Sequence, residues 1–339
     1  MSFNASPPPR SPSAGTVSLA WVAVLLLVGV GGAVAATAAY YALQPSSTPG
    51  SIHLTDDLGR SVTAPYDPQR VVVLGPSIMD VMFRLGLRSH VVGVDCSAAL
   101  DGGLSGDYSA DQIAEWNLSS SMCVQSLPTF APSTLAALTP QLVLAATIVV
   151  SVGAVQEISN NLHIPVVMLQ PPTLSGILVD DNLVGEVFGV TPAANALNAG
   201  LSAELYNATN FTASQFTLPT VLVTYSVDAS GYWTFGPGTF GTSLIEVAGG
   251  ASISASASTP YPELSASQVL VDNPQRIVYG TGYGLDESSY ASGPDWSMLP
   301  AVQAGNVTGI DSNWLTEPDP TMILDGLPAL QSALYGGST

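Results

Sequence analysis

The sequence contains no lysine, and its only strongly basic residues are six arginines. There are 25 acidic residues, so the net charge is −19, yet charged residues make up only 9% of the chain. A chain with so few cations has no basic patch to neutralise phosphates, which excludes nucleic acid as an expected partner. In acidic surroundings carboxylates are protonated, and each base then adds unopposed positive charge. The deficit of bases therefore indicates an acidic external medium.

Cysteine and histidine are also scarce, with two cysteines and three histidines. The histidines, His53, His90 and His163, are not at metal-ligand spacing, so direct capture of zinc or manganese is not expected. The chain has no Gly-x-Ser-x-Gly elbow and no lysine-bearing phosphate loop, and we expect neither catalysis nor a cofactor. In an extracytoplasmic chain, Cys96 and Cys123 predict one disulfide, with two buried free thiols as the alternative.

One long apolar run lies near the amino terminus. Residues 17–43 carry no charge, and as a helix they exceed the roughly 30 Å core of a bilayer. We therefore expect a retained single-span anchor, with a cleaved signal peptide as the alternative because "AVAATAA" offers small residues. The position of Arg10 places the tail, residues 1–16, in the cytoplasm. A linker, residues 44–51, would then lead to a binding unit outside the cell membrane.

Short β-branched runs alternate with helical segments through the rest of the chain. Three of them follow Pro-Gln: "PQRVVVLG" at 68–75, "PQLVLAAT" at 140–147 and "PQRIVYGT" at 274–281. This alternation predicts an α/β fold with mostly parallel sheets. Ahead of it, the alternating stretches around Asp57-Leu58-Gly59 predict a β-hairpin.

The alternation pauses once, which divides the chain into parts. The sequence of residues 172–210 predicts two helices, and the second is long enough to span two lobes. We therefore expect an N-terminal α/β lobe at 52–171, connecting helices at 172–210 and a C-terminal α/β lobe at 211–339.

The stretch "DDLGRSVTAPYDPQRVVVLGPSIMDVMFRLGLRSHVVGVD" at 56–95 resembles the opening of the substrate-binding proteins of ABC importers for iron-siderophores, haem and cobalamin. The likeness continues through "TLAALTPQLVLA", "FGPGTFGTSLIEVAGG", "YPELSASQVLVDNPQRIVYG" and "PDWSMLPAVQAGNVTGIDSNWL" in the family's order. The resemblance implies the class III periplasmic-binding-protein fold, in which a single long helix bridges two Rossmann-like lobes. It also implies a monomer that performs no chemistry and delivers its ligand to a permease dimer with its ATPase.

In such a fold, loops after the carboxyl ends of the strands form the ligand cleft. Aromatic rings suit the broad apolar faces of a macrocycle or chelate. The expected ligand-binding residues are listed here from both lobes: Ser77, Tyr108 and Phe130 in the first, and Trp233, Tyr261, Tyr283, Asn313 and Trp314 in the second. For any single aromatic residue, packing in the core is the alternative.

Departures from the family's pattern narrow the expected ligand. Asn313 and Glu317 stand where cobalamin binders carry an acidic residue and an arginine, and no arginine cluster is expected in the cleft. A strongly anionic ligand would be buried unpaired, which costs several kcal/mol. The resemblance therefore favours a neutral or weakly charged ligand, a corrinoid first, with a ferric siderophore or haem as the alternative.

Two further departures affect docking to the permease. Ser133 and Ser267 stand where the family places glutamates that pair with permease arginines. Hydroxyl groups suit an acidic medium, in which a protonated carboxyl group could not form a salt bridge. The same serines favour a rival function, a glycosylated surface or adhesion protein, while a chelatase-like enzyme would need a metal-ligating histidine.

Overall fold

The structure is a computed structural model of the chain, and it describes residues 50–97, 104, 108–127, 130–146, 149–282 and 284–336. The predicted tail, the predicted anchor and most of the linker lie outside the described residues, as does Tyr283. Within the described ranges, no helix is both long and apolar enough to cross a membrane.

The amino-terminal part of the binding unit begins with an antiparallel hairpin and continues as a parallel sheet. The hairpin strands are β1 (Ser51–Thr55) and β2 (Ser61–Pro65). The sheet strands are β3 (Val71–Leu74), β4 (Val91–Ser97), β5 (Cys123–Leu127), β6 (Leu142–Ala145) and β7 (Val166–Met168). Their order across the sheet is β5-β4-β3-β6-β7, with every pairing parallel. The predicted hairpin and the first two Pro-Gln strands are thereby confirmed.

The carboxyl-terminal part has a second sheet, of mixed direction. Its strands are β8 (Thr220–Val227), β9 (Tyr232–Thr234), β10 (Ala251–Ser252), β11 (Glu263–Leu264), β12 (Arg276–Thr281) and β13 (Val307–Asp311). The order is β11-β9-β8-β12-β13, with β10 also paired to β8. The pairings of β8, β12 and β13 are parallel, whereas β9 runs antiparallel to both of its neighbours. The sheet is thus mostly parallel in its centre, as predicted.

Helices cover both faces of the two sheets. They are α1 (Pro76–Arg84), α2 (Ala110–Glu115), α3 (Pro132–Ala137), α4 (Val152–Asn161), α5 (Leu174–Val187), α6 (Thr191–Ala213), α7 (Phe240–Ala248), α8 (Ala266–Asp272), α9 (Glu287–Ala291), α10 (Pro300–Gln303), α11 (Ser312–Thr316) and α12 (Leu327–Tyr335). Short 3₁₀ turns lie at Arg88–His90, Ser120–Met122 and Trp296–Met298, and a π-turn at Met322–Gly326 precedes α12.

Successive residues of the buried strands enter opposite cores, because side chains alternate across a strand. In β3, Val71 and Val73 belong to one hydrophobic cluster and Val72 and Leu74 to another. All four side chains are fully buried. Their uniform burial explains why the sequence shows a continuous β-branched run rather than an alternating one.

Two helices, α5 and α6, join the lobes. The start of α5 packs in the C-terminal core through Leu174, and its end packs in the N-terminal core through Val187. Along α6, Ala194 lies in the N-terminal core and Leu201 in the C-terminal one. Because each helix is shared by both hydrophobic cores, the lobes can move relative to one another only slightly without disturbing buried packing.

The predicted disulfide is confirmed. Cys96 of β4 and Cys123 of β5 are bonded, with Cα atoms 5.5 Å apart on adjacent strands. The bond ties the outer strand of the sheet, β5, to its neighbour.

We expect the double substitution Cys96→Ala and Cys123→Ala to lower the free energy of unfolding by about 3 kcal/mol, because the bond closes a loop of 27 residues and loop-closure entropy scales that way. Urea denaturation checks this value. Reduction of the wild-type chain should produce the same loss, and a reduced chain as stable as the oxidised one would contradict the prediction.

Candidate ligand cleft between the lobes

A groove separates the end of the first sheet from the second lobe. It encloses a cavity of about 190 Å³, lined on one side by Asp57, Leu58 and residues 170–172, and on the other by residues 238–240 and Tyr261. The first wall follows the carboxyl end of β7 and includes the tip of the hairpin. Since ligand sites in open α/β sheets lie beyond the strand ends, this groove has the expected position.

Hydrogen bonds hold the hairpin tip against β7. The carboxylate of Asp57 accepts a hydrogen bond from the Gln170 amide at 2.5 Å, and its own amide donates to Met168 O at 3.1 Å. The neighbouring Asp56 accepts from the Met168 amide at 3.2 Å and from Arg60 Nε at 3.0 Å. The hairpin is therefore a fixed wall of the groove. The sequence predicted the hairpin as part of the fold but gave no sign that it lines the ligand site.

The opposite wall is the Gly-Pro-Gly turn that begins α7. A Cβ atom at Gly236 would lie 2.2 Å from Thr259 O, and one at Gly241 would lie 2.2 Å from the Phe235 ring. Glycine is thus required at both positions by close approach. Thr239 caps α7 by accepting from the Thr242 amide at 3.2 Å. The turn thereby presents a closely packed backbone at the edge of the groove.

Tyr261 is the predicted aromatic residue that lines this cavity. Its side chain is 37% exposed, and its ring meets the buried Phe235 edge-on, with centroids 6.5 Å apart. Partial burial raises the pKa of its hydroxyl group, so the group remains a hydrogen-bond donor at neutral pH. A rigid ring with a polar tip can contact a flat ligand and donate to it.

The other predicted aromatic residues of the second lobe lie elsewhere. Trp233, in β9, donates from Nε1 to Asp228 Oδ2 at 3.0 Å and is not among the residues that line the groove. Trp314, in the one-and-a-half-turn helix α11, lines a separate cavity of about 540 Å³ beside β13 and α12. The structure therefore brings Tyr261 to the groove without Trp233 or Trp314.

The predicted residues of the first lobe are mostly enclosed. Tyr108 is 1% exposed, and its hydroxyl group donates to Asp95 Oδ1 at 2.5 Å. The same carboxylate oxygen accepts from the Gly75 amide at 2.9 Å. Tyr108 thus braces the turn after β3, while Phe130 is half-buried against the core on the other face of the sheet.

Ser77 and the segment after α11 meet across the two lobes. The Ser77 amide, in the first turn of α1, donates to Glu317 Oε2 at 3.2 Å. One turn further along α1, Asp80 Oδ2 accepts from Arg84 Nε at 2.6 Å and from the Thr321 hydroxyl group at 3.2 Å. Arg84 Nη2 in turn donates to Thr321 Oγ1 at 2.8 Å. Asn313 lies nearby in α11, where its amide donates to Asp311 Oδ1 at 2.9 Å.

Buried carboxyl groups surround this contact. Burial raises the pKa of Asp181 to about 8. Burial, with smaller contributions from the charges of Asp57 and Asp181, raises the pKa of Asp180 well above its ordinary value. Burial also raises the pKa of Asp80 and Asp319, and Arg84 only partly offsets the effect. In the sequence, the sign of these buried carboxyl groups is the Asp-Asp pair in "ILVDDNLV". The pair interrupts an apolar helical stretch that contains no basic residue.

Comparison with known proteins identifies the family of this chain. Residues 71–314 match the family described as periplasmic binding protein, which is most of the chain. The chain belongs to the periplasmic binding protein family. Membership confirms the expected class of function, the solute-binding component of an ABC importer, and its relatives are binding proteins rather than enzymes.

The relatives of this periplasmic binding protein have low sequence identity to it, but the matches cover most of its length. A cobalamin-binding protein of Halobacterium salinarum is 28% identical over 278 residues, covering 79% of this chain and 70% of the relative. Among solved structures, the periplasmic vitamin B12 binding protein of Vibrio cholerae has a TM-score of 0.64 at 21% identity, over 80% of this chain and 98% of that one. A protein of an ABC-type Fe³⁺-hydroxamate transport system from Saccharomonospora viridis has a TM-score of 0.68 at 19% identity, over 85% and 100%. The solved structures confirm the α/β class III fold.

The two serines predicted to dock this binding protein on its permease occupy equivalent places in the two lobes. Ser133 is the second residue of α3, and Ser267 is the second residue of α8. Both are exposed, and the Ser267 hydroxyl group lies 2.9 Å from that of Ser265. Each lobe thus presents an uncharged hydroxyl group at the start of a short helix.

Proposed function

We propose that the chain captures a corrinoid, or else an iron chelate of low charge, in the groove between its lobes and delivers it to an ABC permease. The observation that carries the proposal is the extensive match to a relative named a cobalamin-binding protein. The groove supports the proposal, because one of its walls includes the fixed hairpin and the other includes the partly exposed ring of Tyr261.

The arginines support a ligand without strong negative charge. All five arginines in the described part of the chain bind its own groups. Arg60 and Arg84 bind aspartates, Arg70 and Arg88 bind backbone carbonyls, and Arg276 binds the Leu334 carbonyl. An anionic ligand would have to take a cation from one of these contacts. A neutral ferric hydroxamate is the second candidate, because it meets the same charge requirement and a protein of such a transport system shares the fold.

The remaining parts of the proposal concern position and partners. We infer that Tyr261 contacts the ligand directly and that Ser77 and Asn313 supply polar groups at the junction of the lobes. Trp233, Trp314, Tyr108 and Phe130, which were also expected from the sequence, do not line this groove and are not part of the proposal. Ser133 and Ser267 would face the permease, and residues 17–43 would anchor the monomer, with its binding unit outside the cell.

Replacing Tyr261 tests the groove as the ligand site. We expect Tyr261→Ala to weaken cyanocobalamin binding by about 10-fold, since a buried aromatic contact contributes about 1–2 kcal/mol. Tryptophan fluorescence titration of the full chain measures the affinity.

The matched control for this experiment is Tyr206→Ala. Tyr206 lies on α6 and is 56% exposed, so its removal should leave the affinity unchanged. Equal affinities of the Tyr261→Ala variant and the wild-type chain would show that the ligand does not occupy this groove.

A further inference from the structure

The lobes meet through a small polar cluster, which we call the lobe junction. It comprises Ser77, Asp80 and Arg84 of α1, Asp180 and Asp181 of α5, and residues 317–321. Its hydrogen bonds cross from one lobe to the other, from Ser77 to Glu317 and from Arg84 through Thr321 to Asp80. Contact between α1 and the segment after α11 therefore depends on the protonation and charge of these groups.

One group in the lobe junction has no hydrogen-bond partner. Asp181 is 0% exposed, and neither of its carboxyl oxygens is hydrogen-bonded within the described part of the chain. Asp180 is 5% exposed, and its Oδ2 is also unpartnered. Both residues line a cavity of about 10 Å³ with Ser77 and Pro318, which is space for about one water molecule. A charged carboxylate is costly in such a place, whereas a protonated one is tolerated.

Acidic groups greatly outnumber basic ones around the lobe junction. The groups that interact with it from the surrounding elements are Asp57 of the hairpin, Asp80 and Arg84 of α1, Glu115 of α2, Asp180 and Asp181 of α5, and Glu317, Asp319 and Asp325 of the carboxyl-terminal segment. Arg84 is the single cation of this set, and it is already bonded to Asp80.

We propose that the lobe junction is a proton-binding site that couples contact between the lobes to external pH. When its carboxyl groups are protonated, they are neutral and the lobes dock. When they lose their protons, Asp319 and Asp181 add two negative charges beside the Asp80–Arg84 pair, in a dry contact where both are repelled by Asp80 and only Arg84 offsets them. A slight separation of the lobes at this contact admits water and relieves both the repulsion and the desolvation.

This coupling would act on ligand retention, because the groove has one wall on each lobe. A ligand would be held more tightly in an acidic medium and released more readily as the pH rises towards 8. The coupling goes beyond the proposed ligand class, since it depends only on groups of the chain itself.

The distance between the lobes tests the proposal in the ligand-free full chain. Nitroxide labels on non-natural amino acids at Glu157 of α4 and Gln268 of α8, both exposed, report that distance by pulsed electron resonance. We expect a longer and broader distance at pH 8 than at pH 4 in the wild-type chain. The double variant Asp181→Asn and Asp319→Asn should keep the pH 4 distance at both values.

The control is the double variant Glu246→Gln and Glu287→Gln, which removes two exposed charges outside the lobe junction and should behave as the wild-type chain does. Circular dichroism at each pH separates lobe movement from unfolding. If the double asparagine variant does not fold, the single variant Asp181→Asn replaces it, and its distance should lengthen less between pH 4 and pH 8 than that of the wild-type chain. An unchanged wild-type distance between pH 4 and pH 8, or equal lengthening in the neutral variant, would overturn the proposal. Because no ligand is present, this outcome is independent of the ligand's identity.

Discussion

The free energy of unfolding of this chain is expected to fall by several kcal/mol between pH 4 and pH 8. The carboxyl groups of Asp181, Asp180, Asp80 and Asp319 all have a pKa that burial raises above the value in the unfolded chain. Between the two values the folded state binds more protons than the unfolded state, so stability decreases as the pH rises. For Asp181 the window runs from 3.8 to about 8, and each unit corresponds to about 1.4 kcal/mol.

Other titrating groups do not reverse this trend. Hydrogen bonds lower the pKa of Asp228 and Asp286, which by itself would favour stability at higher pH. Both carboxylates are solvent-exposed, so water and salt screen their interactions. The net slope is therefore set by the buried groups of the lobe junction.

Asp181→Asn isolates the contribution of one of these buried groups. Asparagine has nearly the same shape and cannot ionise, so we expect the variant to be about 3 kcal/mol more stable than the wild-type chain at pH 8. At pH 3 the two should be nearly equal. Urea denaturation of the full chain across this range measures both values.

The exposed Glu246→Gln is the control, because an exposed carboxylate away from other features should change stability by less than about 0.5 kcal/mol. A wild-type chain whose stability is constant or rises from pH 4 to pH 8 would refute the assignment of protonated carboxyl groups. Such a result would also remove the support that the deficit of bases gives to an acidic habitat.

Gly241→Ala is expected to destabilise the chain by about 2–3 kcal/mol, because its methyl group would overlap the Phe235 ring in a closely packed core. Phe235 is buried among the rings of Tyr225, Phe240 and Tyr261. Its displacement should therefore also shift Tyr261 at the groove and weaken ligand binding.

The control for this substitution is Gly200→Ala. Gly200 lies in the exposed part of α6, and a Cβ there meets nothing within 4 Å. Alanine should stabilise the chain there by about 0.5–1 kcal/mol, because it is the better helix former. Thermal or urea unfolding of the two variants compares them directly. Equal effects of the two substitutions would show that the fit of Gly241 against Phe235 is not tight.

The strands could be predicted because their sequence signals are local. A proline, a β-branched run and a small residue mark β3, β6 and β12, and each run is buried on both faces as an interior strand requires. The same holds for α6, whose length follows from an uninterrupted helical stretch.

The direction of individual side chains could not be predicted in the same way. Tyr108 follows a strand end, but Asp95 binds its hydroxyl group and keeps the ring inside the core. Trp314 lies on a helix of five residues, too short for a periodic pattern to show that it faces β13 and α12. The lobe junction was missed because its members, such as Asp80 and Asp319, are far apart in sequence and acidic residues are ordinarily assigned to the surface.

The central claim is that this chain is a binding protein for a corrinoid or a low-charge iron chelate. Thermal unfolding of the full chain at pH 5, with and without cyanocobalamin, haem or a neutral ferric hydroxamate, tests it most directly. A ligand at one hundred times its dissociation constant adds about 2.7 kcal/mol to the stability, which corresponds to a rise in Tm of roughly 5 °C or more. We predict such a rise with cyanocobalamin or with the neutral hydroxamate, and a smaller one or none with haem, whose carboxylates meet no free arginine in the described part of the chain. An unchanged Tm with all three compounds would contradict the account.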